Sequence, residues 1–105
     1  MMTEGECAAA ASGDGRVYAV LMELACALER GWPLWHALPH AFSVAGEDPF
    51  DAVVRLATRE WRVSALLGDL LAAEPLALVS QGEEKAELVA ALRKAAKVSE
   101  RAGRA

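Results

Sequence analysis

The sequence predicts an all-α protein, a small antiparallel bundle of four to five helices. Of its 105 residues 54% are hydrophobic, and alanine and leucine dominate over β-branched and aromatic residues, which favours helix over sheet. Apolar residues also recur at helical spacings of three and four positions. A chain of this length is the size of one domain, and its hydrophobic content suffices for a core without metals or disulfides.

The start of the chain differs in composition from the rest. Residues 1–14 are rich in alanine and glycine and carry no positive charge, so they lack the basic start and the long apolar stretch of a signal peptide. We expect a disordered tail here, followed by a single helical domain over residues 15–102. No window approaches the roughly 18 apolar residues of a membrane span, so we expect a soluble, cytoplasmic protein without membrane insertion.

The first predicted helix covers about residues 15–30. Asp14 offers an N-cap for it. Its apolar stripe consists of Val17, Leu21, Leu24 and Leu28. Gly31 occupies the position where a helix ends in a left-handed residue, and Trp32 follows where the Schellman motif places an apolar contact. These two residues predict the end of the helix.

A short second helix is predicted to begin at Pro33, because proline is favoured at the first helical position. Its apolar face consists of Leu34, Leu38 and Phe42, with Trp35 beside them. Pro39 removes a backbone donor inside this segment, which predicts a kink or two separate turns. Residues Ser43 to Glu47 include Gly46 and are predicted to form a loop.

A long third helix is predicted from Asp48, Pro49 and Asp51, which supply a cap, a proline at the first position and an acid in the first turn. We expect it to reach Glu74, since Pro75 disfavours further helix. Its buried stripe is predicted to be Phe50, Val54, Ala57, Trp61, Ala65 and Gly68. Its polar stripe is predicted to be Asp51, Arg55, Arg59, Arg62 and Asp69.

The last helix is predicted to begin at the capping box of residues 80–83. The preceding segment, Leu76 to Val79, is predicted to be a brief apolar connector. Acidic residues lie near the start of this helix and basic residues toward its end, the arrangement that the helix dipole prefers. Its buried stripe is predicted to be Leu88, Leu92 and Ala95.

Charge is unevenly spread along the chain, whose net charge is −4. Residues 1–51 hold two bases against eight acids, a balance of −6, and residues 93–105 hold five bases against one acid, a balance of +4. An acidic protein with one basic end is a poor nucleic-acid binder. The polarity suits a protein partner or self-association better.

Catalytic motifs are absent from the sequence. No nucleophile accompanies a base, and there is neither a glycine-rich phosphate loop nor a paired-acid motif. The chain is therefore predicted not to be an enzyme and to need no cofactor. Its two cysteines show neither a disulfide framework nor zinc-ligand spacing; Cys26 is expected to be a small core residue and Cys7 an exposed one.

Two histidines offer a candidate metal site. His36 and His40 are four residues apart, as in a zinc pair, and Glu47 or Asp48 would supply a third ligand. Pro39 distorts the helix that would set this spacing, so we expect two surface histidines instead.

Trp32, Trp35 and Phe42 form an aromatic cluster near these histidines. Such a cluster either lines a ligand groove or plugs the junction between two helices. We expect the second role, with all three residues in or against the core.

Leu66 marks the predicted functional surface, because it interrupts the polar stripe between Arg62 and Asp69. The surrounding residues 63–73 are apolar on nearly every face and are either buried on all sides or presented to a partner. We expect the second, with the partner-binding residues Leu66, Leu67, Leu70, Arg59 and Arg62. The alternative function is a helical DNA-binding transcriptional regulator that uses Arg55, Arg59 and Arg62, although a solvated helix face is the simpler interpretation.

The order of these elements resembles a known family. HAFSV at residues 40–44, then a long helix, then EPLALVSQGEEKAELVAAL at residues 74–92 form a pattern that spans about residues 16–101. In this pattern the chain resembles the TyeA-like family, the small helical gatekeeper partners of type III secretion, although the long helix is longer here. The resemblance implies a small all-α regulator that binds the gatekeeper protein controlling effector release.

A second segment is similar to another family. LACALERGWPLWHAL at residues 24–38 is similar to a pattern of the type II secretion and tight-adherence platform family, whose transmembrane helices this sequence lacks. The sequence as a whole predicts a non-enzymatic interaction module, a small adaptor, regulator or chaperone, and the two resemblances imply a place in a bacterial secretion system.

Overall fold

The computed structural model describes residues 13–104. Its helices are α1 (Gly13–Glu29), α2 (Leu34–Val44), α3 (Pro49–Thr58), α4 (Val63–Leu66), α5 (Ala73–Glu84) and α6 (Leu88–Arg104). No strand occurs within this described range, so the all-α prediction is confirmed. The predicted tail lies outside the described residues except for its last two positions, which belong to α1 and include the expected cap Asp14.

The helices pack around one apolar core. α1 contacts both α2 and α6, α5 contacts α6, α2 contacts α3, and α4 contacts α5. The largest fully buried side chains are Phe42, Leu21, Leu24, Leu38, Leu66, Leu67, Leu92, Val63 and Val79. The two longest helices, α1 and α6, therefore form the centre, and the shorter helices cover them. None of the described helices is long and apolar enough to cross a membrane.

The end of α1 is the Schellman motif that the sequence predicts. Gly31 has a positive φ of 89°, and its N–H donates to the Leu28 carbonyl at 3.0 Å. The Trp32 N–H donates to the Ala27 carbonyl at 3.1 Å, which completes the motif. The Trp32 side chain packs half-buried against the core.

α2 differs in three details from its prediction. Pro33 is the residue before the helix, with an extended ψ of 154°, and the helix begins at Leu34. Pro39 lies inside one continuous helix, so the prediction of two separate turns at this position was wrong. Trp35 points outward and is 56% exposed, so its assignment to the core was also wrong. Leu38 and Phe42 are buried as predicted.

α2 ends in a Schellman motif, as α1 does. Gly46 has a positive φ of 83°, its N–H donates to the Ser43 carbonyl at 3.1 Å, and the Glu47 N–H donates to the Phe42 carbonyl at 2.8 Å. Asp48 then caps α3 by accepting a hydrogen bond from the Phe50 N–H at 2.9 Å. The start that the sequence predicts for this helix is confirmed.

The prediction of one long helix from Asp48 to Glu74 was wrong, because α3 ends at Thr58 after 10 residues. Arg59 is extended, with φ −124° and ψ 166°, and the chain turns before the single-turn helix α4. On a straight helix the apolar residues 63–73 would be exposed on most sides. The break lets Val63 and Leu66 enter the core instead.

The boundary between the last two helices was also predicted wrongly. Pro75 lies in the first turn of α5, where a proline costs no hydrogen bond. Leu76 to Val79 and the expected capping box at residues 80–83 are interior residues of this helix. The stretch is helical, and the helix ends only at the turn that contains Ala86.

The end of α5 is a third Schellman motif, built on an alanine. Ala86 has a positive φ of 60°, the Glu87 N–H donates to the Gly82 carbonyl at 2.7 Å, and the Ala86 N–H donates to the Glu83 carbonyl at 3.4 Å. A glycine normally marks such a stop. Because alanine takes its place, the sequence shows no signal for it.

Candidate interaction surface

α3 packs against the core with the face opposite to the predicted one. Its buried residues are Ala52, Arg55 and Leu56. The predicted buried stripe of this helix was therefore wrong, since Phe50, Val54, Ala57 and Trp61 are all exposed. The predicted polar stripe was wrong at its centre, where Arg55 is only 7% exposed.

Arg55 enters the protein interior because its guanidinium makes four hydrogen bonds there. Its Nη1 and Nη2 donate to the two carboxylate oxygens of Asp69 at 2.6 and 2.9 Å. Nη1 also donates to the Leu66 carbonyl at 2.8 Å, and Nε donates to Asp51 at 3.1 Å. The guanidinium lies 5.6 Å from the centre of the Phe42 ring, within the range of a cation–π contact. These contacts orient α3.

Arg59 joins the same group of charges. Its Nη1 donates to Asp69 at 2.7 Å and to the Leu66 carbonyl at 3.1 Å. The hydrogen bond from Arg55, helped by that from Arg59, holds the pKa of the Asp69 carboxyl well below its usual range, although partial burial opposes the shift. Asp69 is thus ionised near neutral pH, and the last carbonyls of α4 are capped by arginines.

A carboxylate holds the other end of α4. The Ser64 N–H, in the first turn of this helix, donates to a Glu83 carboxylate oxygen at 3.3 Å. Glu83 belongs to α5, and its side chain is largely buried. An acid near a helix N-terminus is favourable. The single turn of α4 is therefore held at both ends by charged side chains of neighbouring helices.

The outward side of α3 is an apolar surface. Phe50 is 68% exposed, Val53 48% and Val54 41%, and Ala57 is exposed beside them. The spacing of these positions, i, i+3, i+4 and i+7, puts all four on one side of the helix. We call this surface, together with Trp61, the α3 face.

Trp61 is a further exposed aromatic residue, just beyond the end of α3. Its indole Nε1 donates to the Leu56 carbonyl at 2.7 Å, one of the carbonyls that the end of α3 leaves without a helical partner. This bond holds the ring beside the helix, yet the side chain remains 56% exposed. The indole is therefore fixed by a hydrogen bond and still faces solvent.

The predicted partner-binding leucines lie elsewhere. Leu66 and Leu67 are 0% and 1% exposed and belong to the core, so the proposal that they face a partner is corrected. Leu70 is half-buried against the same core. Within the expected apolar segment Val63, Leu66, Leu67 and Leu71 are buried, because the break after α3 folds them inward, whereas Ala72 and Ala73 are exposed.

The predicted arginines divide between the interior and the surface. Arg55 is buried, and Arg59 is turned toward Asp69. Arg62 is the most exposed of the three, with 52% side-chain exposure, and lies 3.7 Å from Glu60. They do not form the continuous basic face that DNA recognition would require, because most of their donors serve contacts within the protein.

The histidines flank a tryptophan. The Trp32 ring lies 4.6 Å from His36 and 5.0 Å from His40, measured between ring centres. His40 Nε2 is also 3.8 Å from a carboxylate oxygen of Glu23. Across residues 13–104 no three His, Cys, Asp or Glu side chains are arranged to hold a metal ion. Trp32, beside the junction between α1 and α2, packs partly buried against the core, and Phe42 is buried within the core, whereas Trp35 is exposed.

A cavity of about 260 Å³ lies between α1 and the connection that follows α4. Its walls are mostly apolar, and its charged members are Arg16, Glu47 and Asp69. Arg16 is paired with Glu47 at 3.3 Å, and Asp69 is paired with Arg55. The polar groups of this cavity are thus already satisfied, and its volume is below the usual 300–1,000 Å³ or so of a ligand site.

Comparison of the chain with protein-family models, with curated proteins and with solved structures gives no match. The resemblances to secretion families stay predictions.

Sequence reasoning missed the exposed aromatic pair Phe50 and Trp61. It assigned both to the core, because the more apolar side of a helix is normally the buried side. Asp51 and Arg55, four residues apart, indicate an ion pair on α3. Nothing in that spacing indicates that the arginine is buried, since its partner Asp69 lies 14 residues away.

Proposed function

We propose that the protein is a non-enzymatic protein–protein interaction module and that the α3 face is its docking surface. The observation that carries this proposal is the exposure of Phe50, Val53, Val54 and Ala57 on one side of a well-capped helix, with the exposed Trp61 just beyond its end. Aromatic residues are enriched at the centres of interfaces, where they supply most of the binding energy.

The size of the α3 face supports a docking role. Its exposed side chains present on the order of 400 Å² of apolar surface, given that large aromatic residues each bring 150–250 Å² or so. Contiguous patches of this size on monomers are often functional. Covering the face would contribute roughly 10 kcal/mol before the costs of association.

The orientation of α3 makes this exposure a stable property of the fold. Turning Phe50 inward would turn Arg55 outward and break its hydrogen bonds to Asp69 and the Leu66 carbonyl. It would also leave Asp69 and that carbonyl without these donors, which is costly in a partly buried place. The apolar side of α3 is therefore available to a partner without any rearrangement.

The role of a small adaptor, regulator or chaperone in bacterial secretion is part of this proposal. Its only support is the TyeA-like resemblance of residues 16–101, and of the pattern behind that resemblance the structure has the all-α class but not the long helix, which is broken into α3 and α4. The docking residues differ from the sequence-based expectation: Phe50 and Trp61 take the place of Leu66 and Leu67.

Site-specific photo-crosslinking in the native host tests the docking surface. Val53 lies in the middle of the α3 face and is replaced by a photoreactive phenylalanine analogue. Ala90, an exposed residue of α6, receives the same analogue as the control. We expect discrete protein adducts from position 53 and none of the same mass from position 90. Position 53 giving no adduct, or the same adducts as position 90, would refute the proposal.

A further inference from the structure

We propose that the exposed basic side of α6 binds a short acidic segment of a partner protein. This surface consists of Lys85, Lys94, Lys97 and Arg101, all of them exposed, and we call it the α6 patch. It shares no residue with the α3 face, and α3 itself packs against α2. The inference therefore goes beyond the proposed function and concerns a second surface.

The four bases of the α6 patch lie on one side of the molecule. Lys94, Lys97 and Arg101 follow the spacing i, i+3 and i+7, which puts them in one stripe along about 10 Å of helix. Lys85 comes after the end of α5, yet it lines, together with Lys94, a groove of about 100 Å³ between α5 and α6. The fold thus brings a lysine from outside α6 to the start of the stripe.

The charges of the α6 patch are not neutralised within the protein. Across residues 13–104, none of its four bases takes part in an ion pair or a side-chain hydrogen bond. Arg93, the neighbour of Lys94, differs because it is joined to Glu29 at 2.6 Å. The single acid of α6, Glu100, is half-buried and already has a partner. Glu87 lines the groove but pairs with neither of its lysines.

The stability of α6 does not account for these bases. Lys94 and Lys97 are the seventh and tenth of the 17 residues of α6, whereas the helix dipole favours cations only in the last turn. It therefore accounts for Arg101 alone. Lys97 and Arg101 are four residues apart, and like charges at this spacing destabilise a helix. A bound carboxylate between them would remove that repulsion.

The charge of the rest of the chain limits the kind of partner. The whole chain has a net charge of −4 and the α6 patch carries four positive charges, so the remainder carries −8. A nucleic acid or an anionic membrane presents negative charge over an area wider than one helix and would meet this acidic remainder. A short acidic segment of a protein can follow the stripe alone, where the two charges are complementary.

Binding of a fluorescein-labelled glutamate peptide to the full chain tests the α6 patch. A peptide of about six glutamates covers the length of the stripe whether it is helical or extended. We expect a rise in fluorescence anisotropy with a dissociation constant on the order of 100 µM at about 20 mM salt, and weaker binding as salt is added. A wild-type protein that does not bind this peptide overturns the inference.

Two charge reversals separate the α6 patch from the effect of net charge. Lys97→Glu changes the middle of the patch and places a carboxylate four residues from Arg101, a spacing that stabilises the helix. Arg30→Glu is the matched control, because Arg30 is exposed in the turn after α1, outside the patch. We expect a loss of peptide affinity of about tenfold for Lys97→Glu and of less than about twofold for Arg30→Glu, with unchanged circular dichroism spectra. Equal losses in the two variants would overturn the inference.

Two further probes test the class of partner. A DNA oligomer with about six phosphates has a charge close to that of the peptide, and phosphatidylserine vesicles present a membrane surface. Tighter binding of either probe than of the glutamate peptide would overturn the assignment to an acidic protein segment.

These results are separate from those for the α3 face, whose crosslinking position, Val53, lies on another helix. Ala90, the control position of that experiment, lines the groove of the α6 patch. We therefore expect any adduct at position 90 to differ in mass from those at position 53. Failure of the peptide to bind leaves the α3 face untouched, and failure of crosslinking at position 53 leaves the α6 patch untouched.

Discussion

Arg55 and Asp69 are joined by two parallel hydrogen bonds across 14 residues of sequence, from Nη1 to Oδ1 at 2.6 Å and from Nη2 to Oδ2 at 2.9 Å. This bidentate pair connects α3 to the segment after α4. It accounts for two features together: the arginine side of α3 faces inward, and the apolar side faces solvent. The exposed α3 face is thus a consequence of one buried cation and its partner.

Asp69→Asn should lower the free energy of unfolding at neutral pH by about 2 kcal/mol, because it leaves the buried Arg55 with Asp51 as its one remaining ionic partner. The cost is below that of breaking a fully buried pair, since water screens the half-exposed Asp69. Glu60→Gln is the matched control: Glu60 is exposed and lies 3.7 Å from Arg62, so its removal should cost less than about 0.5 kcal/mol. Urea denaturation of both variants measures the difference. Equal effects would show that the Arg55–Asp69 pair does not stabilise the fold.

Stability should fall on acidification through Asp69. Its pKa in the folded protein is below its ordinary value of 3.8, so the folded state binds this proton less readily than the unfolded state. The contribution is therefore complete above the ordinary value and is lost as the pH falls below it toward the folded pKa. Denaturation midpoints measured from pH 6 downward should decline for the wild type and less steeply for Asp69→Asn. Parallel curves for the two proteins would contradict this assignment.

Leu66→Ala should destabilise the monomer by roughly 2–5 kcal/mol, because it removes buried methyl groups from the core and leaves a cavity. Leu70→Ala is the control, since Leu70 is only half-buried, and we expect a loss of about 1 kcal/mol. Thermal denaturation of the dilute protein gives both values. A Leu66→Ala variant as stable as the wild type would mean that Leu66 is not a core residue.

Ala86→Gly should stabilise the protein by about 0.5–1 kcal/mol. Ala86 has a φ of 60°, which strains an L-residue by roughly 1–2 kcal/mol, and glycine relieves that strain at some cost in unfolded-state entropy. Gly31→Ala is the mirror-image control at a φ of 89°, where an added Cβ meets no atom within 4 Å. It should therefore destabilise through backbone strain alone. Changes of the same sign in both variants would contradict the argument.

Local signals in the sequence determined two helix ends. Gly31 and Trp32 specify the stop of α1, and Asp48 with Pro49 specifies the start of α3. Each signal acts through hydrogen bonds within a few residues of itself, so it works in the same way in any fold. The all-α class follows from composition and spacing for the same reason.

Tertiary structure alone decided which side of α3 is buried and where that helix stops. The apolar side was the natural candidate for the core, but the Asp69 carboxylate and the Leu66 carbonyl reach Arg55 only when the chain folds back after Thr58. Pro75 shows the same limit, because a proline fits both after one helix and in the first turn of the next. The position of the exposed aromatic surface depended on a contact between Arg55 and Asp69, which are 14 residues apart in sequence. A contact of this kind produces no periodic pattern in the sequence.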